Sequence, residues 1–399
     1  MLTSVAAPSR QRYTPTSFAN LERLHALDIL RGLALFGMIL VHFHQRIRRE
    51  GTAVEDLIPW GVWVLVEQKA LGTFAFLFGV GFAILVRRLE ARGEPVVAIY
   101  LRRLAALAVF GVIAEVFFGF TVLFGYAWWG TALLVIRHWS SRTLIVAAVA
   151  AAAARPIIAE VTAVWAWWTS APPLVHPPAA MELARAVAAA AQRGDYALLV
   201  AARWAQFVGN LPHSWRALVP DGGLALFIVG LLAVRHGVLD QPLRHVRLIV
   251  GWMTFGALSW ATSWLVLRNL PAIPIPGAEW PLAYGLGLVQ DQWLCFTYIG
   301  AVVLLLAMRP HWTGRLALAG RAGRMALTNY MVQVAVIDVL ASQYGFGIKL
   351  RPVAYVVGAL LLFGCEVALS TAWLARFRFG PLEWIWRSVT YARWQPLRI

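Results

Sequence analysis

Charge is scarce in this chain. Of 399 residues, only 14% are Asp, Glu, Lys or Arg, against about 25% in ordinary soluble domains, which excludes a water-soluble globule. Acidic residues are the scarcer kind, with 19 Asp and Glu against 35 Lys and Arg and a formal net charge of +16. In a soluble protein that excess would suggest phosphate contacts. Here the arginines sit mostly between apolar runs, so no nucleic-acid partner is expected and the natural partner of the charge is the anionic headgroup layer of a lipid bilayer. Cysteine is nearly absent as well: Cys295 and Cys365 both fall inside apolar runs, and no disulfide framework, CxxC pair or zinc spacing exists. No metal site is expected.

What is abundant is apolar surface, with 60% hydrophobic residues and a mean hydropathy of +0.67. Apolar runs recur at about 26–44, 70–86, 101–118, 121–136, 143–168, 222–236, 246–267, 282–307, 325–344 and 352–376. This predicts an all-α, polytopic bundle of ten transmembrane helices. The stretch 57–66 is too short to cross a bilayer at about 1.5 Å per residue. It reads either as the start of a long second helix or as a re-entrant piece, which would make the count eleven. Residues 1–20 are polar and aperiodic, without the small-residue cleavage pattern of a signal peptide, and read as a cytoplasmic tail. Placing them inside puts most arginines of the short loops on the cytoplasmic face, as the positive-inside rule requires, and brings both termini inside. Arg46, Arg48 and Arg49 after the first span are the main exception.

The membrane part divides into an N-terminal half, 21–168, and a C-terminal half, 222–399. Between them a long outer connection, 169–221, carries Arg185, Arg193, Asp195 and Arg203 in an Ala-rich stretch. This pattern predicts an amphipathic helix on the membrane surface, either a connector or a lid.

A charge inside a membrane helix costs at least a few kcal/mol, so each needs a partner, a cavity or a function. The first span holds three ionisable residues on one stripe. Asp28 and Arg31, at i and i+3, can neutralise each other, and His42 returns to within about 20° of Arg31 roughly 16 Å further along. His44 points away from that stripe and reads as interfacial. Glu67 and Lys69 before the second span read as an interfacial pair. Glu115, Asp291 and Glu366 lie in later spans and could pair with Arg31, Lys69 or one another. Arg324, Thr328, Asn329 and Gln333 recur at helical spacing and would line one face, as glue between helices or as substrate contacts. The Trp residues near span ends read as an aromatic belt, and Gly79 and Gly81 as positions of close helix packing.

Several of these stretches carry a resemblance. Leu27-Asp28-Ile29-Leu30-Arg31-Gly32-Leu33-Ala34, the run Leu77 to Phe82, Gly323 to Tyr330 with Gln333, and Gly380-Pro381-Leu382-Glu383-Trp384 with Thr390-Tyr391 resemble the YeiB family of bacterial inner-membrane proteins, a family without an assigned function. That resemblance implies a multi-pass protein of the bacterial cytoplasmic membrane. The family is in turn similar to the transmembrane acyltransferase superfamily, which moves an acyl group from cytoplasmic acyl-CoA to an acceptor across the membrane. One branch of it carries an Arg, ten residues and a His in the first span, the spacing of Arg31 and His42. Arg102-Arg103 resembles the basic motif before the third span in that branch. The chain departs from the YeiB pattern at His42, where the family more often has Asn, and this draws it toward the acyltransferase branch.

The expectation is an integral membrane acyltransferase. His42 would serve as general base or transient acyl carrier, Arg31 would hold the donor or developing negative charge, and Asp28 would orient Arg31. Lys69, Arg102 and Arg103 would bind the CoA phosphates. The acceptor would be a small molecule, a glycan or a lipid-linked group bearing a hydroxyl or amine. A transporter or flippase of a small polar or lipid-linked substrate, and a scaffold without chemistry, are the competing readings.

Overall fold

The structure is a computed structural model that describes residues 18–46, 48–49, 57–120, 122–169, 178–211, 222–267 and 292–399. Asp291 and the tail up to residue 17 lie outside the described residues. The elements in order are α1 (Phe18–Arg46), the two-residue strand β1 (Arg48–Arg49), α2 (Leu57–Glu90), α3 (Val96–Phe118), α4 (Val122–Ile136), α5 (Ser141–Thr169), α6 (Pro178–Arg193), α7 (Tyr196–Asn210) and α8 (Gly222–Arg235). They continue with α9 (Val246–Thr262), α10 (Cys295–Met308), the short α11 (His311–Arg315), α12 (Ala317–Arg324), α13 (Ala326–Ala341), β2 (Lys349–Leu350), α14 (Pro352–Leu374) and α15 (Pro381–Tyr391).

The chain is a helical membrane protein. Among the described residues five helices are long and apolar enough to cross a membrane: α1, α2, α3, α9 with its flanking turns, and α14. The shorter apolar helices are α4, α8, α10 and α13. The stretch 57–66 is the start of a long second helix. It runs into α2 through one π-helical turn, Trp63–Glu67, without a break.

α1 is the axis of the bundle. It is buried on most faces and is flanked by α2, α12, α13 and α14. Outer helices show the opposite pattern, with Val250, Phe255 and Leu258 of α9 and Val357, Leu361 and Leu369 of α14 exposed. A helix apolar all round and exposed at the rim of a bundle is solvated by lipid.

Glycine sets the closest contacts. At Gly32 of α1 a Cβ would fall into the carbonyl of Ala319 on α12, and at Gly323 of α12 it would fall into the carbonyl of Asp28 on α1. The two backbones therefore touch reciprocally, as small-residue packing in membranes allows. α2 and α8 meet in the same way, Gly79 against the Phe227 carbonyl and Gly230 against the Phe76 carbonyl. Gly81 faces open space instead.

Two features differ from the expectation. Within the 169–221 connection the described residues form two helices, α6 and α7, rather than one. Asp195 caps α7 by accepting from the Leu198 amide at 3.1 Å, and Arg203 of α7 is buried, 5% exposed, instead of lying among headgroups. At the same end β1 pairs in parallel with β2, Arg48 opposite Lys349. Arg48 and Arg49 thus form part of a clasp between the loops that follow α1 and α13.

The glycine contacts yield a signed prediction. Gly32→Ala is expected to destabilise the detergent-purified protein by about 1–3 kcal/mol through overpacking. Gly81→Ala, where nothing lies within 4 Å, is expected to be neutral or stabilising by up to about 1 kcal/mol. Thermal midpoints of the two variants measure the difference.

Candidate functional site

At the end where α1 begins, charges converge on Asp28. Arg31 donates to Asp28 Oδ1 at 2.7 Å, with both side chains partly buried. Arg324 and His25 lie within electrostatic reach of Asp28, and Arg31 and Arg387 within reach of Arg103. Arg103 of α3 lies over the Trp386 ring at 3.6 Å, and Trp386 donates its indole N–H to the Arg103 carbonyl at 2.8 Å. The C-terminal helix α15 thus positions the guanidinium by covering it. Arg102 diverges from its neighbour and donates to the Ala98 carbonyl on the exposed side of α3. Of the expected basic pair, Arg103 belongs to the cluster with Arg31.

Toward the other end of α1, His42 is 2% exposed. Its ring packs against Phe120 at 4.3 Å and Tyr330 at 5.9 Å between centroids. Its Nδ1 has no hydrogen-bond partner among the described residues. Phe120 reaches this position because α3 ends at Gly119, which takes a left-handed conformation, φ 75°, that an L side chain rarely adopts. Arg46 donates to the Gly119 carbonyl and lies 4.6 Å from the Phe120 ring centroid. The arginine that breaks the positive-inside pattern is therefore turned inward, beside His42.

Next to it is a cluster that sequence reading missed. Arg203 of α7 and Asp338 of α13 form a bidentate pair at 2.9 and 3.0 Å, 5% and 1% exposed. Arg203 also donates to the Phe117 carbonyl at 2.8 Å, and the Tyr344 hydroxyl donates to Asp338 at 2.9 Å. Burial and the adjoining Asp338 carboxylate push the Tyr344 phenol up from its ordinary range. Asp338 stood in an apolar run with no signal beyond its charge, and its partner lies 135 residues away. Beside this cluster an open apolar groove of about 650 Å³ runs between α3 and α7, lined by Val116, Phe117, Tyr196, Val200 and Trp204 among others.

The expected single polar face at 324–333 is not one face. The helix breaks at Met325, φ −110° and ψ 34°, so Arg324 ends α12 while Thr328, Asn329 and Gln333 belong to α13. The freed amides of Leu327 and Thr328 donate to Glu383 Oε1 at 2.6 and 3.0 Å, and the Thr328 hydroxyl donates to Glu383 Oε2 at 2.6 Å. Glu383 of the Gly-Pro-Leu-Glu-Trp motif is thus the cap of α13, a carboxylate at a helix N-terminus. Burial pushes its carboxyl above the usual range, and the hydrogen bonds from Thr328 and Leu327 pull it back. Asn329 donates to the Ala322 carbonyl at 3.1 Å and to Ser370 of α14 at 3.0 Å, so it joins three helices. Gln333, 0% exposed, has neither amide atom bonded among the described residues.

Glu67 accepts from Gln45 at 2.7 Å and faces His44 at 3.9 Å. Lys69 is buried on α2 within electrostatic reach of Cys295. α2 and α3 run antiparallel through the turn at 91–95, which puts Lys69 roughly 20 Å along the bundle from Arg102 and Arg103 at about 1.5 Å per residue. Lys69 is therefore no part of a phosphate site with them. Glu115 is half-buried on α3. Glu366 is 2% exposed, and neither of its carboxyl oxygens has a partner among the described residues.

The buried Arg203–Asp338 pair predicts strong coupling. Arg203→Met alone is expected to cost about 3–5 kcal/mol because it leaves a buried carboxylate unpaired, whereas Arg203→Met with Asp338→Leu regains most of that loss. Unfolding of both variants and of Asp338→Leu in mild detergent gives the double-mutant cycle that checks it.

Comparison with known proteins assigns the two halves of the chain differently. Residues 233–393 match the family described as protein of unknown function (DUF418), and residues 23–182 match the catalytic domain of heparan-alpha-glucosaminide N-acetyltransferase. YxaH of Bacillus subtilis (strain 168), described as uncharacterised, is 27% identical, with 94% of this chain and 96% of that protein covered. An uncharacterised 39.9 kDa protein of Bacillus acidopullulyticus is 26% identical over the same shares. YeiB of Escherichia coli (strain K12), also uncharacterised, is 33% identical over 31% of this chain and 34% of its own length. No solved structure matches. His42, Arg31 and Arg103 fall in the acetyltransferase-like segment, and Glu383, Gln333 and Glu366 in the DUF418 segment. The chain is thus similar to the DUF418 family over residues 233–393 and to an N-acetyltransferase catalytic domain over residues 23–182, with YeiB among its relatives.

Proposed function

We propose that this protein is a multi-pass acyltransferase of the bacterial cytoplasmic membrane, with ten spans and both termini inside, that transfers an acyl group from cytoplasmic acyl-CoA to a hydroxyl or amine. The observation that carries the reading is His42. It is a buried imidazole whose Nδ1 has no hydrogen-bond partner among the described residues, on the same stripe of α1 as the Arg31–Asp28 pair, within the segment similar to an N-acetyltransferase catalytic domain. A polar side chain held unbonded inside a membrane bundle is costly, and such residues mark sites of function.

The chemistry assigned to the two ends of α1 is complementary. At the arginine-rich end Arg31, Arg103, Arg324 and Arg387 supply the charge that the phosphates of a CoA donor require, with Asp28 holding Arg31. At the far end His42 takes the proton of the acceptor while the acyl carbon forms its new bond and the thioester C–S bond breaks. The protonated His42 returns that proton to the departing sulfur, so CoA leaves as the free thiol while its phosphates rest on the arginines. Acyl-imidazole formation at His42 before transfer to the acceptor is the two-step form of the same reaction. The groove between α3 and α7 ends next to Phe117, three residues before Phe120, and offers an apolar seat for a lipid-linked acceptor. One observation favours the competing transporter reading, namely that the buried polar groups of Gln333 and Glu366 have no hydrogen-bond partner among the described residues.

Thiol release from acetyl-CoA and longer acyl-CoAs, by the full chain in nanodiscs supplied with envelope lipids and glycans, tests the proposal. His42→Ala and Arg31→Ala are each expected to reduce release by at least 100-fold, about 2.7 kcal/mol in transition-state terms, while remaining folded and monodisperse. Absence of release from every donor by the folded wild-type protein overturns it.

A further inference from the structure

Two guanidinium groups meet at Gly119, the residue that ends α3. Arg46 donates to its carbonyl, and a Cβ at Gly119 would strike the side chains of both Arg46 and Arg203. One carboxylate serves the two of them. Asp338 takes Arg203 in the bidentate pair at 2.9 and 3.0 Å and accepts from Tyr344 at 2.9 Å, while Arg46 meets it only at electrostatic range. No other described acidic residue closes the balance. Asp195 caps α7, Glu67 accepts from Gln45, and Glu115, one turn before Gly119, is not among the charges that act on Arg46. Arg46 therefore spends one hydrogen bond on a carbonyl among the described residues, out of a fork of five donors. A guanidinium in excess inside a membrane bundle requires an anion.

The apolar groove between α3 and α7 joins this cluster through shared residues. Phe117 lines the groove and gives its carbonyl to Arg203 at 2.8 Å. Tyr196 lines it too, donates to the same carbonyl at 3.4 Å, and stacks 4.6 Å from the Tyr344 ring between centroids. From there the groove extends along α3 to Val112, seven residues or about 10 Å from Gly119. α3 spans 23 residues from the arginine-rich end, about 35 Å, so Gly119 stands at headgroup depth and the groove below it among the lipid tails. An apolar channel open to lipid and crowned by an unneutralised guanidinium has the form of a phospholipid.

We infer that α3 and α7 hold one anionic phospholipid, with an acyl chain along the groove from Phe117 toward Val112 and its phosphodiester beside Arg46. Charge selects the class. The cluster has one positive charge in excess, which a phosphodiester lipid with an uncharged headgroup matches, whereas a zwitterionic lipid brings an ammonium that the arginines repel. The inference rests on the acyl-transfer reading for its purpose and names the acceptor. Arg46 lies one turn beyond His42 on α1, about 6 Å, and both rest on the Phe120 ring, 4.6 and 4.3 Å from its centroid. A glycerol headgroup covers that interval between its phosphate and its terminal hydroxyl. The hydroxyl proton passes to His42, the ester C–O bond forms as the thioester C–S bond breaks, and His42 returns the proton to the sulfur. Arg46 binds the acceptor and moves no proton.

Native mass spectrometry of the full chain, delipidated in detergent and titrated with phosphatidylglycerol or phosphatidylcholine, tests the site. One phosphatidylglycerol is expected to bind with a preference of roughly tenfold or more over phosphatidylcholine. Arg46→Gln is expected to abolish that preference and Arg46→Lys to keep part of it. Ala201→Trp, which fills the groove from α7, is expected to weaken both lipids, and Arg142→Gln at the exposed start of α5 to change neither. Equal binding of the two lipids, or a preference that survives Arg46→Gln, overturns the inference. Should Arg46→Gln not fold, unaltered phosphatidylglycerol binding by Ala201→Trp overturns it. In nanodiscs given radiolabelled acetyl-CoA, the label is expected in the lipid of phosphatidylglycerol discs and not in that of phosphatidylcholine discs. Thiol release that is equal in both discs overturns the acceptor assignment and leaves the acyl-transfer reading standing. Selective binding with no thiol release in either disc overturns that reading and the acceptor role with it, while the lipid site stands.

Discussion

The approach of α1 to α12, backbone against backbone at Gly32 and Gly323, is the contact on which the rest of the molecule depends. In lipid no hydrophobic force draws helices together, so van der Waals fit and hydrogen bonds must do it. By placing the Asp28 carbonyl against Gly323, the contact brings the start of α1 to the end of α12. Everything that gathers there follows from this, including the electrostatic reach of Arg324 to Asp28. The chain then breaks at Met325, and α13 departs under a cap, Glu383, that belongs to the C-terminal helix. One close approach thereby ties the acetyltransferase-like segment of the chain to its DUF418 segment.

Along α1 the bundle presents two charged layers, arginines around Asp28 at one end and His42 with the Arg46, Arg203 and Asp338 cluster at the other. Each keeps an excess of positive charge, since Asp28 faces Arg31 and Arg324 in the first and Asp338 faces Arg203 and Arg46 in the last. Gln333 of α13 and Glu366 of α14 are buried without a hydrogen-bond partner among the described residues. The α6–α7 hairpin joins the last layer through Arg203, so the connection between the two halves is anchored to α13 by a charge pair.

Composition and periodicity made the architecture legible in advance. Scarce charge and recurrent apolar runs define helices that must pack in lipid, because in hydrocarbon the backbone can satisfy itself only within helices; of the two glycines read as packing positions, Gly79 meets a neighbouring backbone and Gly81 faces open space. The stripe of Asp28, Arg31 and His42 was equally readable, since helical geometry alone puts residues three and eleven apart on nearly one face. The groups that complete the site were not. Arg46 read as a misplaced loop charge, Arg203 as a surface residue and Glu383 as part of a motif, because their partners lie 73, 135 and 55 or 56 residues away.

Local pattern therefore determined which segments are helices and which of their residues are anomalous in lipid. Tertiary structure decided the long-range pairing of those anomalies: Glu67 with Gln45 and His44, Arg203 with Asp338, and Glu366 with no protein partner among the described residues. The physical reason is one of range. A helix is specified by hydrogen bonds four residues apart, whereas a buried charge is satisfied by whichever chain segment arrives beside it, and only the packing of the whole bundle sets that.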